Sequence, residues 1–409
     1  MKLCQEKDCV GCLACVNSCS WKALTIQENS EGFAIPRLNL SLCRNCGACS
    51  RACPILQQPA ISRLSEPVIY SGWATAAKVR SSCSSGGAFY ILAERILATG
   101  GVVFGASFGP NLEVMHTWVE HLEDLPQLTG SKYVQSNIGD SFIQAKKFLE
   151  QKRQVLFSGT PCQIAGLQKF LAQKYPTLLT VDLICHGVPS PMIFREYKQY
   201  MEKRFNSRIV RLKFRDKAFS WIYFNMQILF ENQQQYIGTY FEDPYLRGFL
   251  QNLFLRPSCH NCLFAKVERM GDITIADWWQ YEKKNKEDRN FDTLGVSLLM
   301  CNTEYGKIFF DTCKEKFQGH RRSLAEALKT NVCLQHSFPP SEKREKFWAD
   351  HNSLSFPELI DRYMFPKPLT PIERLLSTRK QTAEIKVKIF CLRIWNWSIR
   401  KIKSLTKAE

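Results

Sequence analysis

Apolar and polar positions alternate in two short runs between residues 23 and 40, meeting at Glu31-Gly32. That pattern predicts two strands joined by a turn. From Val68 onward strand-like runs alternate with helical periods. Helices are expected over 88–98, 138–150, 163–172 and 192–205. Strands are expected over 102–107, 155–158 and 178–184, and over 209–214 and 222–230, which alternate like paired strands. Gly100-Gly101 closes the first helix. The alternation predicts an α/β (α+β) class: a mixed sheet with helices on its faces. Residues 338–368 are punctuated by Pro339, Pro340, Pro357, Pro366 and Pro368, which predicts a wrap with short helices. A helical period returns over 384–405. Lys386, Arg393, Arg400 and Lys401 share one face there, and Ile385, Ile389, Leu392, Trp395 and Ile399 lie largely on others. The organisation expected is a small module over 1–58, a linker over 59–68 containing Pro59 and Pro67, a large domain over 69–335, and a C-terminal wrap and basic amphipathic helix over 336–409.

Composition refines this picture. A chain of 409 residues predicts more than one domain, and 45% hydrophobic with 23% charged residues is ordinary for a soluble globular protein. The longest uncharged stretch, 96–112, is broken by Gly100, Gly101, Gly105, Gly109 and Pro110, so no membrane span is expected. Residues 1–10 are polar and hold Cys4 and Cys9, unlike a secretory signal, so a cytoplasmic location is expected. The net charge of +17 is uneven: residues 373–409 carry ten Lys/Arg against three Glu. No helix-turn-helix or zinc-finger spacing accompanies it, so nucleic acid is not an expected partner. Trp395, Trp397 and the basic face of the C-terminal helix suit two readings. One is docking on the protein's own surface. The other is peripheral contact with an anionic bilayer at the inner membrane face.

Eighteen cysteines in a reducing compartment point to metal ligands rather than disulfides. Cys9, Cys12, Cys15 and Cys19 have the spacing C-x2-C-x2-C-x3-C, and Cys43, Cys46, Cys49 and Cys53 repeat it, with Pro54 following. This is the bacterial ferredoxin run. Three thiolates at steps of three residues wrap three corners of a cubane, and the fourth reaches the other cluster. Cys9, Cys12, Cys15 and Cys53 are therefore assigned to one [4Fe-4S] cluster, and Cys43, Cys46, Cys49 and Cys19 to a second. Zinc would want paired C-x2-C units separated by a longer loop. Ser20 stands where this run usually has Pro, which removes no ligand, and Cys4 lies outside the pattern.

The large domain carries further candidates. Ser84-Ser85-Gly86-Gly87 opens a helix and reads either as a phosphate cradle or as a serine-capped start with glycine for packing. Cys162 and Cys185 follow predicted strands, and Cys259 and Cys262 form a bare C-x2-C. On spacing alone these four cysteines are open between a third [4Fe-4S] cluster, a zinc site and unrelated buried thiols.

Several motifs recur in one order: Ser84–Gly87, Gly130–Ser136, Val155–Leu167, Ile184–Gly187, Cys259–Cys262 and Asp272–Trp279. In these the chain resembles the beta subunits of deazaflavin (coenzyme F-420) hydrogenases and dehydrogenases, in the form that carries an N-terminal 2[4Fe-4S] ferredoxin domain. The resemblance covers about residues 5 to 335. It implies a flavin, usually FAD, beside a third [4Fe-4S] cluster held by Cys162, Cys185, Cys259 and Cys262. It makes Ser84, Ser85, Gly86, Gly87, Lys132 and Tyr133 the flavin-site candidates. Asp277 would hold a loop or a flavin hydroxyl, and His186 would protonate substrate or support the site. The implied function is an iron–sulfur flavoprotein reductase or dehydrogenase. It would take electrons from a donor such as ferredoxin or a partner reductase. Its acceptor would be a small molecule or cofactor, either deazaflavin-like or a biosynthetic intermediate, as in surface-polysaccharide synthesis. The alternative is a non-catalytic electron-transfer subunit of a larger complex. No G-x-G-x-x-G follows a strand, so Rossmann-type nicotinamide binding is not expected.

Overall fold

The computed structural model describes residues 3–217, 220–279, 281 and 294–365. The 23–40 alternation is an antiparallel hairpin of β1 (Leu24–Glu28) and β2 (Ala34–Leu38), paired from Leu24↔Leu38 to Glu28↔Ala34. Its turn needs Gly32, which sits at φ +77°. Short helices α1 (Ala14–Asn17) and α2 (Ala48–Arg51) lie within the two cysteine runs and carry Cys15 and Cys49.

The large sheet has eight strands in the order β13-β3-β12-β11-β7-β6-β4-β5. These are β3 (Val68–Ala74), β4 (Val102–Phe108), β5 (Val114–Val119), β6 (Val155–Gly159), β7 (Leu178–Leu183), β11 (Ile273–Asp277), β12 (Ser297–Cys301) and β13 (Phe317–Arg322). Neighbours β4, β6, β7 and β11 are parallel, and the outer pairings are antiparallel. A second, antiparallel sheet is ordered β10-β9-β8, from β8 (Ile209–Asp216), β9 (Asn225–Phe230) and β10 (Gln235–Thr239). The predicted strand at 222–230 begins only at Asn225.

Strand periodicity divides the core. On β4, Val102 and Phe104 face one apolar cluster and Val103 the other; on β6, Val155 and Phe157 oppose Leu156. After α3 (Ala77–Ser82), helix α4 (Ala88–Leu97) covers the Val103/Leu156 face through Ile91, Leu92 and Ile96. Helices α5 (Ser141–Glu150) and α6 (Pro161–Leu171) cover the opposite face, and Val10, Cys12, Leu13, Ala14 and Ala52 join that cluster. The cysteine module is therefore packed into the sheet's own core. Gly166 on α6 makes this possible: a Cβ there would stand 2.9 Å from Cys12 Sγ. Residues 59–67 hold to the large domain, with Arg63 Nε donating to Arg269 O and Leu64 N to Asn302 O.

A further apolar cluster joins helices α7 (Pro191–Phe205) and α8 (Pro244–Leu250) to the three-stranded sheet. Phe347, Phe356, Leu359 and Met364 enter it from the C-terminal wrap, which contains short helices Arg344–His351 and Phe356–Leu359. The basic amphipathic helix expected over 384–405 lies outside the described residues. Among the described residues no helix is long and apolar enough to cross a membrane.

Candidate functional site

The two cysteine runs bend back on themselves through left-handed residues: Gly11 at φ +66° and Leu13 at +55° in the first, Asn45 at +51° and Gly47 at +73° in the second. These turns bring Cys19, Cys43, Cys46 and Cys49 around one cavity, with Trp21, Leu38 and Arg44 on its wall. Backbone N–H groups of Ala23 and Asn45 donate to Cys19 Sγ and Cys43 Sγ, each at 3.3 Å, as they would to a charged thiolate. Cys9, Cys12, Cys15 and Cys53 form the inner group and are electrostatic neighbours of one another. Cys4, outside the motif, lies beside both Cys9 and Cys53. Among the described residues no three His, Cys, Asp or Glu side chains converge on a single metal ion.

The large sheet presents a second collection of chemistry at one edge. Because β6, β7 and β11 are parallel neighbours, their carboxyl ends share that edge, and β3 runs the same way through its antiparallel pairing with β12. Open α/β sheets bind ligands at such edges. Thr160, after β6, caps α6 with its side chain and the Gln163 side chain in a reciprocal capping box, placing Cys162 in the first turn. The segment after β7 delivers Cys185 and His186. With Cys259 and Cys262 these line one cavity, which also touches Val10, Ser258, Arg269, Cys333 and Ser337. Burial pushes the Cys162 thiol up to about 12 and Cys259 up to about 11, and raises Cys185 and Cys262 as well. Four desolvated thiols facing one space are a donor set whose thiolate form a cationic centre would stabilise. The Nε of Arg269 is buried on this wall without a hydrogen-bond partner among the described residues.

Arg256 bolts the module to this cavity. It is 2% exposed. Its Nε donates to Cys9 O at 2.5 Å, Nη1 to Gln135 Oε1 at 2.7 Å and Nη2 to Ala34 O at 3.1 Å. Ser258 Oγ donates to the same Cys9 carbonyl, and Gln135 Nε2 to Val10 O. Gly11 leaves the necessary room, since a Cβ there would lie 2.6 Å from Arg256 Nη1.

The remaining sequence candidates gather beyond the cavity. Ser84 Oγ accepts from Ser131 N at 2.7 Å, so the turn before α4 touches the Gly130–Ser136 segment. Gly86 packs on β3, where a Cβ would meet Gly72 O at 2.4 Å, and Ser85 Oγ donates to Val296 O. At least these two residues have a packing role. Lys132 Nζ donates to the carbonyls of Thr129 and Gly130, and burial lowers its pKa to about 7. Tyr133 hydroxyl accepts from Arg215 Nη1, whose guanidinium pairs with Asp277 at 2.8 Å and lies over the rings of Phe224 and Trp279. Trp221 Nε1 also donates to Asp277. Two ring contacts link this group to the cysteine cavity: Tyr133 stacks on Phe249 at 4.7 Å, and Phe249 meets His186 at 4.8 Å. His186 Nε2 donates to Asn252 Oδ1 at 2.7 Å, and burial lowers its pKa.

Comparison with known proteins finds a match in the module and one in the large domain. Residues 152–324 match the family described as the C terminus of the coenzyme F420 hydrogenase/dehydrogenase beta subunit, and residues 8–55 match the 4Fe-4S dicluster domain. The ferredoxin-type protein NapF of Escherichia coli, in strain K12 and in an O157:H7 strain, is 36% identical over 52 residues. That match covers 13% of this chain and 32% of the relative, so the chain spans about a third of the length of these curated relatives. A chain of the F420-reducing [NiFe] hydrogenase complex from Methanosarcina barkeri resembles 66% of this chain and 90% of its own, with a TM-score of 0.46 and 16% identity. The dicluster-domain match supports two [4Fe-4S] clusters and an iron–sulfur electron-transfer role for residues 8–55.

The sequence reading passed over several groups at and around the candidate site: Arg256, Arg215, Lys217 and Cys333. Lys217 Nζ donates to the carbonyls of Arg80, Ser85 and Leu294, and burial lowers its pKa to about 8. Its one-dimensional signal was the charged run Arg215-Asp216-Lys217 at the end of a strand. Cys333 and Arg256 carried none.

Two measurable consequences arise from these contacts. Asp277→Ala leaves Arg215, whose side chain is 2% exposed, without its carboxylate. A loss of about 3–5 kcal/mol is expected, read as a lower urea midpoint, and Asp277→Asn should recover part of it. His116 stacks on Phe157 and bonds Ser136 Oγ and Ser158 O; burial lowers its pKa to about 4 from 6.5. Between those values the unfolded chain binds the extra proton, so stability falls as pH drops from 6.5 towards 4. His116→Gln should flatten the dependence of the urea midpoint on pH between about 7 and about 5.5.

Proposed function

We propose that this chain is an iron–sulfur flavoprotein oxidoreductase. In this reading Cys9, Cys12, Cys15 and Cys53 hold the inner module cluster, and Cys43, Cys46, Cys49 and Cys19 the outer one. Cys162, Cys185, Cys259 and Cys262 hold a third [4Fe-4S] cluster. A flavin occupies the group formed by Ser84, Ser85, Gly86, Gly87, Lys132, Tyr133 and Asp277. The clusters supply one-electron steps, and the flavin supplies the conversion to electron pairs or hydride. The acceptor is a small molecule, deazaflavin-like or a biosynthetic intermediate. The carrying observation is that Val10, from the first cysteine loop, lines the same cavity as Cys162, Cys185, Cys259 and Cys262.

The chain's own residues have definable parts. Arg256 fixes the distance between the module and the cavity and places positive charge beside Cys9 and Cys259. Arg215, held by Asp277, and Lys132 offer positive charge to an anionic ring or phosphate. His186, wedged between Phe249 and Phe338, orients the wall between cavity and flavin group. The test is iron, acid-labile sulfide and flavin content after purification without oxygen. About twelve irons and one flavin per chain support the reading. About eight irons and no flavin would leave an electron-transfer subunit whose acceptor lies in another polypeptide.

A further inference from the structure

The two cysteine groups of the module differ in access. Cys9, Cys12 and Cys53 are buried against the large domain, whereas Cys46 is exposed and Cys19 and Cys43 are half-buried. Around this outer group stand unusually bare apolar side chains: Leu40 at 79% exposure, Trp21 at 54% and Leu42 at 48%. Lys22, Arg44 and Arg51 are interleaved with them, and residues 39–54 contain no acidic residue. Arg44 lies over the Trp21 ring at 5.3 Å, and Arg51 Nη1 donates to Cys46 O at 3.0 Å. Trp21 and Arg44 themselves line the cavity of the outer cysteines. The nearby acids are engaged away from this patch, Glu6 with Arg37 and Glu28 with Arg195.

We infer that this face is the docking surface for a small, acidic one-electron carrier protein, and that electrons cross between proteins at the outer cluster. A small apolar centre with a basic rim is the composition of a weak, fast-exchanging redox contact, in which opposite charge raises the encounter rate and little area is buried. The charge sign selects the occupant. A second copy would set Lys22, Arg44 and Arg51 against the same residues across a two-fold axis. Residues 373–409, with a net charge of +7, are repelled by the same patch.

The inference rests on the module clusters and not on the third cluster or the flavin. Its failure is therefore separable from that of the proposed function, which metal and flavin counts decide. The test is stopped-flow reduction of the full-length, cluster-loaded chain by a reduced plant-type [2Fe-2S] ferredoxin, an acidic carrier. Rates are compared at roughly 0.01 M and roughly 0.15 M salt, where the screening length falls from about 30 Å to about 8 Å. The second-order constant should fall about tenfold with salt. The Lys22→Glu/Arg44→Glu variant should be slowed about tenfold at low salt. Lys22→Glu alone, at an exposed residue off the cavity wall, should leave the EPR spectrum and reduction by a small neutral mediator unchanged. Leu40→Ser should slow the carrier at both salt concentrations. Should the double variant lose its clusters, the salt dependence of the unaltered chain and Arg44→Gln decide. A salt-independent rate that the variants leave unchanged overturns the inference. So does a several-fold faster rate after deletion of residues 366–409, which would make that segment the occupant of the patch.

Discussion

Replacing Cys259 with Ser is expected to lower iron from about twelve to about eight atoms per chain while the module clusters remain. Cys259 contributes to one cavity with Cys162, Cys185 and Cys262, and none of these four belongs to the module groups. A hydroxyl is a poor substitute for a thiolate, and a cubane with three thiolates is exposed to loss. The loss should be local because the cavity wall is built by sheet ends and by α6, whose capping box does not involve Cys259. The module's cluster signals should persist in EPR spectra, and reduction by a module donor should continue. Delivery of electrons to any flavin should stop, so flavin would remain oxidised under a reductant that bleaches the module. Cys333, on the same wall, offers a control. Cys333→Ala should leave about twelve irons in place if the ligand set is the four named cysteines. An unchanged iron count in Cys259→Ser would remove the third cluster from the reading.

Arg256→Met should have the second large effect, on potential as well as on stability. The guanidinium is buried, and its three hydrogen-bond acceptors are uncharged oxygens from the Cys9 loop, Gln135 and β2. The pairing that offsets its desolvation is therefore with sulfur: it lies beside the Cys9, Cys162 and Cys259 thiols and favours their charged forms. Adding an electron makes a cluster more negative, so a fixed positive charge stabilises the reduced state. Its removal should shift the inner cluster's potential downwards by tens of millivolts, with about 59 mV corresponding to a tenfold change for one electron. Three acceptors lose a donor, although Cys9 O keeps that of Ser258 Oγ, which adds a stability loss of about 2–5 kcal/mol. Arg256→Lys separates the two effects. It keeps the charge but not the fork, so potential should recover more than the urea midpoint does. Equal potentials in all three proteins, from an EPR-monitored titration, would reduce Arg256 to a purely structural bolt.

The sequence by itself determined the local parts of this protein. Cysteine spacing, with Gly11 and Gly47 supplying left-handed turns, specifies two thiol groups because all the relevant contacts lie within one short module. Helical periods likewise located α5, α6 and α7, since burial on one face leaves its mark every few residues, and short apolar runs located β4, β6 and β7. Strands β11, β12 and β13 escaped that reading. In β12 both faces are buried, Leu298 and Met300 in one cluster and Leu299 and Cys301 in another, which erases the alternation, and in β13 only Phe317 is buried.

What only the tertiary structure decided is which distant segments meet. Val10 and Cys259 share a cavity although some 250 residues separate them, because α1 packs on α6 at Gly166 and Arg256 reaches three separate strands and loops. Arg215 and Asp277 pair through the meeting of a three-stranded sheet with the edge of the eight-stranded one. Neither event leaves a periodic trace: hydrophobic pattern records whether a side chain is buried, while strand order and docking angle determine against what. The sequence therefore marks the cysteines as ligands in waiting, and the fold sets the distance and the charge between them.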